Sequence, residues 1–188
     1  MITNVYLVRH AHSTYTPDEL CRPLSEKGLR DAGKVTELLS LKNISHVISS
    51  PYRRAVQTVE GIANLNKLTI VTDDGFRERK LAADSVADFQ DTVLKAWENL
   101  NYALPGGESG FCAQNRGIRS LRNAIDKYRG GNIVIGTHGN LMVLIMNYYD
   151  KKYDYAFWDK LNLPDIYRLG FTDEVLFEIE RIWRTKNV

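Results

Sequence analysis

Apolar positions along the chain follow two rhythms that take turns. The short runs "VYLVRH" (5–10), "SHVISS" (45–50), "LTIVTDD" (68–74) and "NIVIGTH" (132–138) are rich in the β-branched and aromatic residues that suit buried strands. Between them, apolar residues recur near helical spacing over 25–41, 51–65, 84–100 and 112–129, and "NLMVLIMNYY" (140–149) opens a further helix. Ser25 is placed to cap the first of these helices, with Leu24 and Leu29 where a hydrophobic staple would lie. Ser50 before Pro51 predicts the start of the second. "DIYRLGF" and "EVLFEIERIW", on either side of a "TD" turn, predict a terminal antiparallel hairpin, and the aromatics at 148–158 read as core or interface.

Strands that alternate with helices predict an α/β domain whose largely parallel sheet is covered on both faces. No repeat, low-complexity tract or linker divides the sequence, so one domain over 1–188 is expected. Ligands of such sheets bind beyond the carboxyl ends of the strands. Arg9 and His10 follow the first strand, and Ser49, Ser50, Arg53 and Arg54 the second. Asp73 to Arg79 follow the third and His138 the fourth, so four strands deliver reactive or anion-binding groups to one rim.

Composition narrows the classes. Lys and Arg number 25 against 23 Asp and Glu, a net charge of +2, which gives no global field for a nucleic acid partner. The longest clean apolar run, "LMVLIM", is too short to span a bilayer, and "MITNVYLV" lacks the pattern of a signal peptide. Cys21 and Cys112 stand far apart, as in a reducing compartment without structural disulfides. The expectation is a cytoplasmic, soluble protein with no membrane partner.

The rim chemistry suits a phosphoryl group. Arginine matches phosphate in bidentate geometry, and a helix starting beside the second strand adds free N–H groups. A neutral imidazole can attack phosphorus, dividing one hard displacement into two easier ones. His10 and His12 at i, i+2 could instead face one way as zinc ligands, but only two other histidines exist, and neither a metal nor a cofactor is expected.

At this point the motifs resemble a known family. "LVRHAHS" is similar to the Arg-His-Gly signature of the histidine phosphatase superfamily, also called phosphoglycerate mutase-like. "PLSEKGLRDA", "SSPYRRAVQT", "FRERKL", "PGGES" and "THGN" resemble its further motifs, in family order, from residue 7 to 140. The resemblance implies a three-layer α/β/α sandwich with a mostly parallel sheet. It implies His10 as nucleophile, Arg9, Arg54 and His138 as clamps on the phosphoryl oxygens, and Glu78 as the acid that protonates the leaving oxygen. Arg54, not Arg53, precedes the motif alanine.

Ser13 and Thr16 fall where pocket hydroxyls or amides often sit, and Gly139 permits close backbone approach beside His138. Tyr15, Cys21 and Arg22 lie between motifs, where substrate-facing residues and ordinary loops are both expected. Asp73, Asp74 and Glu108 compete with Glu78, Glu108 as a loop-structuring residue first. Ala11 stands where glycine is usual and could crowd the phosphate; Asp31 and Ala82 are further departures.

The leading expectation is a phosphomonoester hydrolase acting through phosphohistidine on a small phosphorylated substrate. A phosphoglycerate-type mutase and a non-catalytic phospho-ligand binder are the alternatives. About thirty residues between Glu78 and "GGES" form a modest lid, which favours hydrolysis. Neither the substrate nor the oligomeric state is legible.

Overall fold

A computed structural model of the chain describes residues 1–84 and 86–184. Strands β1 (Ile2–Arg9), β2 (His46–Ser49), β3 (Ile70–Thr72) and β4 (Asn132–Thr137) precede the final pair β5 (Asp165–Thr172) and β6 (Val175–Arg181). Helices α1 (Glu26–Ser40), α2 (Arg53–Leu65), α3 (Phe89–Glu98), α4 (Gly110–Lys127), α5 (Gly139–Tyr149) and α6 (Tyr155–Asp159) fill the connections. The sheet order is β3-β2-β4-β1-β5-β6. β1, β2, β3 and β4 run parallel, β5 runs antiparallel to β1, and β6 antiparallel to β5, as the hairpin pattern predicts.

Alternation along β1 explains why its run is apolar throughout. Val5 and Leu7 pack against one helical layer, which includes Leu121 of α4 and Leu141 of α5. Tyr6 and Val8 pack against the other, with Val35 of α1 and Ile62 of α2. A strand covered on both faces has no polar side to show. The result is the three-layer α/β/α sandwich with a mostly parallel sheet. Among the described residues, no helix is long and apolar enough to cross a membrane.

Element ends differ from expectation for identifiable reasons. Ser25 caps α1 by accepting from the Gly28 amide, as its sequence position predicts. The staple does not form: Leu29 is exposed, and Leu24 packs instead with Ala11 and Ala32. α2 starts at Arg53 rather than Pro51, with Tyr52 at the cap position and no side-chain cap; the Ser50 hydroxyl accepts from the Tyr52 amide at 3.3 Å and lies 2.8 Å from His138 Nε2. Asp88 and Ser109 cap α3 and α4, which moves those helices off the apolar pattern's boundaries. The short α6 in the aromatic stretch is capped by Asp154, and Phe157 and Trp158 pack on the core.

Parallel register brings the exits of the strands together. His10 N–H donates to Thr137 O at 3.0 Å, Ser50 N–H to Gly136 O at 2.8 Å, and Asp73 N–H to Ser49 O at 2.9 Å. The segments that leave β1, β2, β3 and β4 therefore share one rim.

Candidate active site

His10 is the first residue past β1. Its Nδ1 lies 2.8 Å from Ala11 O, and a carbonyl only accepts, so Nδ1 carries the hydrogen. Nε2 then has a free lone pair, and Arg54 Nε donates to it at 3.2 Å. Burial pushes the imidazole down to about 3; the Ala11 bond opposes that shift, and the Arg54, Arg9 and Arg22 charges add to it. The ring is neutral at neutral pH, the form a nucleophile needs.

Three guanidiniums approach this ring. Arg54 is buried on the first turn of α2 at 2% exposure, while neighbouring Arg53 is exposed. Its Nη1 donates to Glu19 O at 2.8 Å and its Nη2 pairs with Glu19 Oε2 at 3.3 Å. Arg22 pairs with the other Glu19 oxygen at 2.9 Å. Arg9 donates from Nη1 to Leu161 O and Asn162 O, both at 3.1 Å. That loop is held in turn by buried Asp165, which accepts from the Asn162 amide and pairs with Arg181 through both oxygens. Burial lowers Arg9 and Arg54 from the ordinary guanidinium range, yet arginine remains a cation in proteins.

His138, just past β4, is fully buried, with its ring centroid 5.2 Å from that of His10. Its Nε2 is 2.8 Å from Ser50 Oγ. Burial, then the His10 and Arg54 neighbours, pushes it well below the usual histidine value. Arg9 Nε, Arg22 Nε and His138 Nδ1 are buried without a hydrogen-bond partner among the described residues. Unmatched buried polar atoms each cost about 1–3 kcal/mol, and a tetrahedral oxyanion is a group that would match several at once.

Glu78 reaches the same rim from the segment after β3. Its Oε1 accepts from the Arg79 and Leu141 amides at 2.9 and 3.1 Å, and its Oε2 from the Asn140 amide at 3.2 Å. Two of these donors belong to the first turn of α5, whose N–H groups have no partner within the helix. Gly139 lets that turn sit on Arg9, since a Cβ there would lie 2.8 Å from Arg9 Nε.

The other expected residues are more dispersed. Ser13 forms an isolated antiparallel bridge with Leu24. The Thr16 hydroxyl donates to Asp18 O and does not meet the imidazoles. Cys21 is exposed, and its thiol, bonded to the Asp18 carboxylate, is raised from the usual value. Tyr15 is exposed. Asp73 caps the 3-10 turn Asp74–Phe76, accepting from the Gly75 amide and the Ser120 hydroxyl, and Glu108 pairs with Arg116. His12 Nδ1 lies 2.8 Å from Ser25 Oγ at the cap of α1. No cluster of three or more His, Cys, Asp or Glu that could hold a metal occurs among the described residues. The Ala11 methyl is buried with Leu24 and Ala32, where it packs α1 against the end of β1.

Sequence reasoning did not single out Glu19, Thr58 or the loop carbonyls behind Arg9. Thr58 was within reach, as the threonine of "RRAVQT"; it accepts from the Ala11 amide and donates to Arg54 O, joining the His10–Ala11 loop to α2. Glu19 has a weaker signal, its i, i+3 spacing from Arg22. Backbone carbonyls of a distant loop have none.

The model of the histidine phosphatase superfamily (branch 1) matches residues 5–181. The chain belongs to that superfamily. It is 30% identical over 154 residues, 73% of this chain and 67% of the relative, to phosphoglycerate mutase-like protein 4 of Arabidopsis thaliana. Its fold is similar to that of a mycobacterial glucosyl-3-phosphoglycerate phosphatase, with a TM-score of 0.77 at 20% identity over 96% of this chain and 97% of that one. It is also similar to a phosphoglycerate mutase from Bacillus anthracis, with a TM-score of 0.76 at 16% identity over 96% and 92% of the two chains. Phosphatases and mutases thus both stand among the superfamily's relatives of this chain.

Proposed function

We propose that this superfamily member hydrolyses phosphomonoesters, without a metal, through a phosphohistidine on His10. The observation that carries the reading is the tautomer of His10. With Nδ1 bound to Ala11 O, the reactive lone pair is on Nε2, among Arg9, Arg22 and Arg54.

The first step begins when the substrate's phosphoryl oxygens draw the Arg54 guanidinium from Nε2. The freed lone pair forms the N–P bond as the ester P–O bond breaks. Glu78 gives the departing oxygen its proton. Its Oε2, with a single long hydrogen bond, is the oxygen better placed to carry that proton. In the second step a water attacks phosphorus, Glu78 takes its proton, and the N–P bond breaks, which returns the pair to Nε2 and releases phosphate. The arginines balance charge that develops on the phosphoryl oxygens, the role a metal fills elsewhere.

A mutase must keep water from its phosphoenzyme. Among the described residues, the connection between Glu78 and Glu108 holds one helix, α3, of 10 residues, and this modest cover supports hydrolysis. The presence of His10, Arg9, Arg54, Glu78 and His138 on one rim supports catalysis over mere binding. A panel of alkyl and aryl phosphomonoesters assayed with a chelator tests the reading. The expected result is release of inorganic phosphate at an unchanged rate after dialysis against EDTA. Loss of activity that zinc or magnesium restores, or transfer of phosphate only to an added alcohol, would overturn it.

A further inference from the structure

Arg116 of α4 does not reach the imidazoles, yet its guanidinium organises the segment that carries Glu78. Nε and Nη2 donate to the two Glu108 oxygens at 2.9 and 2.7 Å, a bidentate pair in which both side chains are 16% exposed. Nη1 is left over and points the other way. It donates to Gly75 O at 2.8 Å, Arg77 O at 3.1 Å and Asp74 O at 3.3 Å. These are carbonyls of the turn immediately before Glu78. On the far side of Glu78, Arg79 donates to Glu108 O at 2.8 Å and to Tyr102 O at 3.2 Å. The acid-bearing segment is therefore gripped on both flanks, and the two grips meet at Glu108.

We infer that Arg116, held by Glu108, is the positioning residue that sets where the Glu78 carboxyl meets the leaving oxygen. The inference rests on the reading of Glu78 as proton donor. A residue on a short turn is as well placed as the carbonyls that fix the turn, and three of those carbonyls share one donor nitrogen. Glu108 orients that nitrogen by occupying the opposite edge of the planar fork. Lysine could not replace it, because a single ammonium cannot serve a carboxylate on one side and three carbonyls on the other. Misplacement of a reacting group by about 1 Å can cost roughly 10²-fold in rate. Here the loss should fall only on the step that needs the proton. Nitrophenolate leaves without much help and an alkoxide does not, so the leaving group reports on Glu78 alone.

The test is single-turnover phosphorylation of the enzyme by an alkyl and a nitrophenyl phosphate, in wild type, Glu78→Gln, Arg116→Lys and the double variant. Glu78→Gln should slow the alkyl reaction by about 10²-fold and the nitrophenyl reaction far less. Arg116→Lys should reproduce that pattern at roughly 10–100-fold, with little further loss in the double variant. Equal losses for both esters in Arg116→Lys, beside an alkyl-selective loss in Glu78→Gln, would overturn the positioning role and leave the proton donor standing. So would a wild-type rate in Arg116→Lys. Equal losses in Glu78→Gln itself would overturn the reading beneath it. If Arg116→Lys does not fold, Glu108→Gln, which keeps one acceptor for the fork, is judged by the same comparison.

Discussion

The neutrality of half-buried His10 and buried His138 makes stability depend on pH. His10 is held down to about 3, and His138 is lowered in the same direction. Well above pH 6.5 both rings are neutral whether the chain is folded or not, and they contribute no pH dependence. As pH falls below 6.5 the unfolded chain binds protons that the folded chain refuses. The folded state therefore loses stability down to the folded value, by up to about 1.4 kcal/mol per pH unit for each ring. Urea unfolding of wild type and His10→Asn between pH 6.5 and 4 should show a shallower decline in the variant. Parallel declines would mean that His10 is not held neutral. The motif marks which arginine of the Arg53–Arg54 pair turns inward; apolar periodicity alone does not, since both lie on the first turn of α2. The depressed histidines are not legible at all, because burial depends on what the rest of the chain packs around them.

Glycine 139 shows how an element's end serves the site. The first turn of α5 rests on Arg9 on one side and donates to Glu78 on the other. Gly139→Ala should push the Arg9 guanidinium aside, since the neighbouring atoms are the end of a long side chain. Loss of one such donor raises a barrier by up to about 4 kcal/mol. The expected outcome is a large fall in kcat/KM with little change in Tm. A lowered Tm with unchanged kcat/KM would assign the glycine to packing instead. Strands and long helices were legible because their apolar rhythms are strong. Their ends were less so: α2 starts two residues after Pro51, with Tyr52 at its cap position, and α3 starts at the Asp88 cap. Capping is decided by single polar side chains, which leave no trace in apolar periodicity.

Across the whole molecule, topology does what no local stretch can. Residues 9 and 10, 54, 78 and 138 are far apart in sequence, and parallel pairing of β3, β2, β4 and β1 brings the segments that carry them to one rim. That convergence was legible, because a largely parallel sheet places strand ends together whatever the loops do. The loops were not. The carbonyls behind Arg9, the Glu19 pair with Arg22 and Arg54, and the Arg116 grip on the acid segment are long-range contacts without a sequence period. The most direct test is to mix the enzyme with a phosphomonoester, quench within one turnover without acid, and map the phosphate by peptide mass spectrometry. Phosphate on His10, absent in His10→Asn along with turnover, is the expected result. Phosphate on any other residue, or turnover that survives in His10→Asn, would contradict the mechanism.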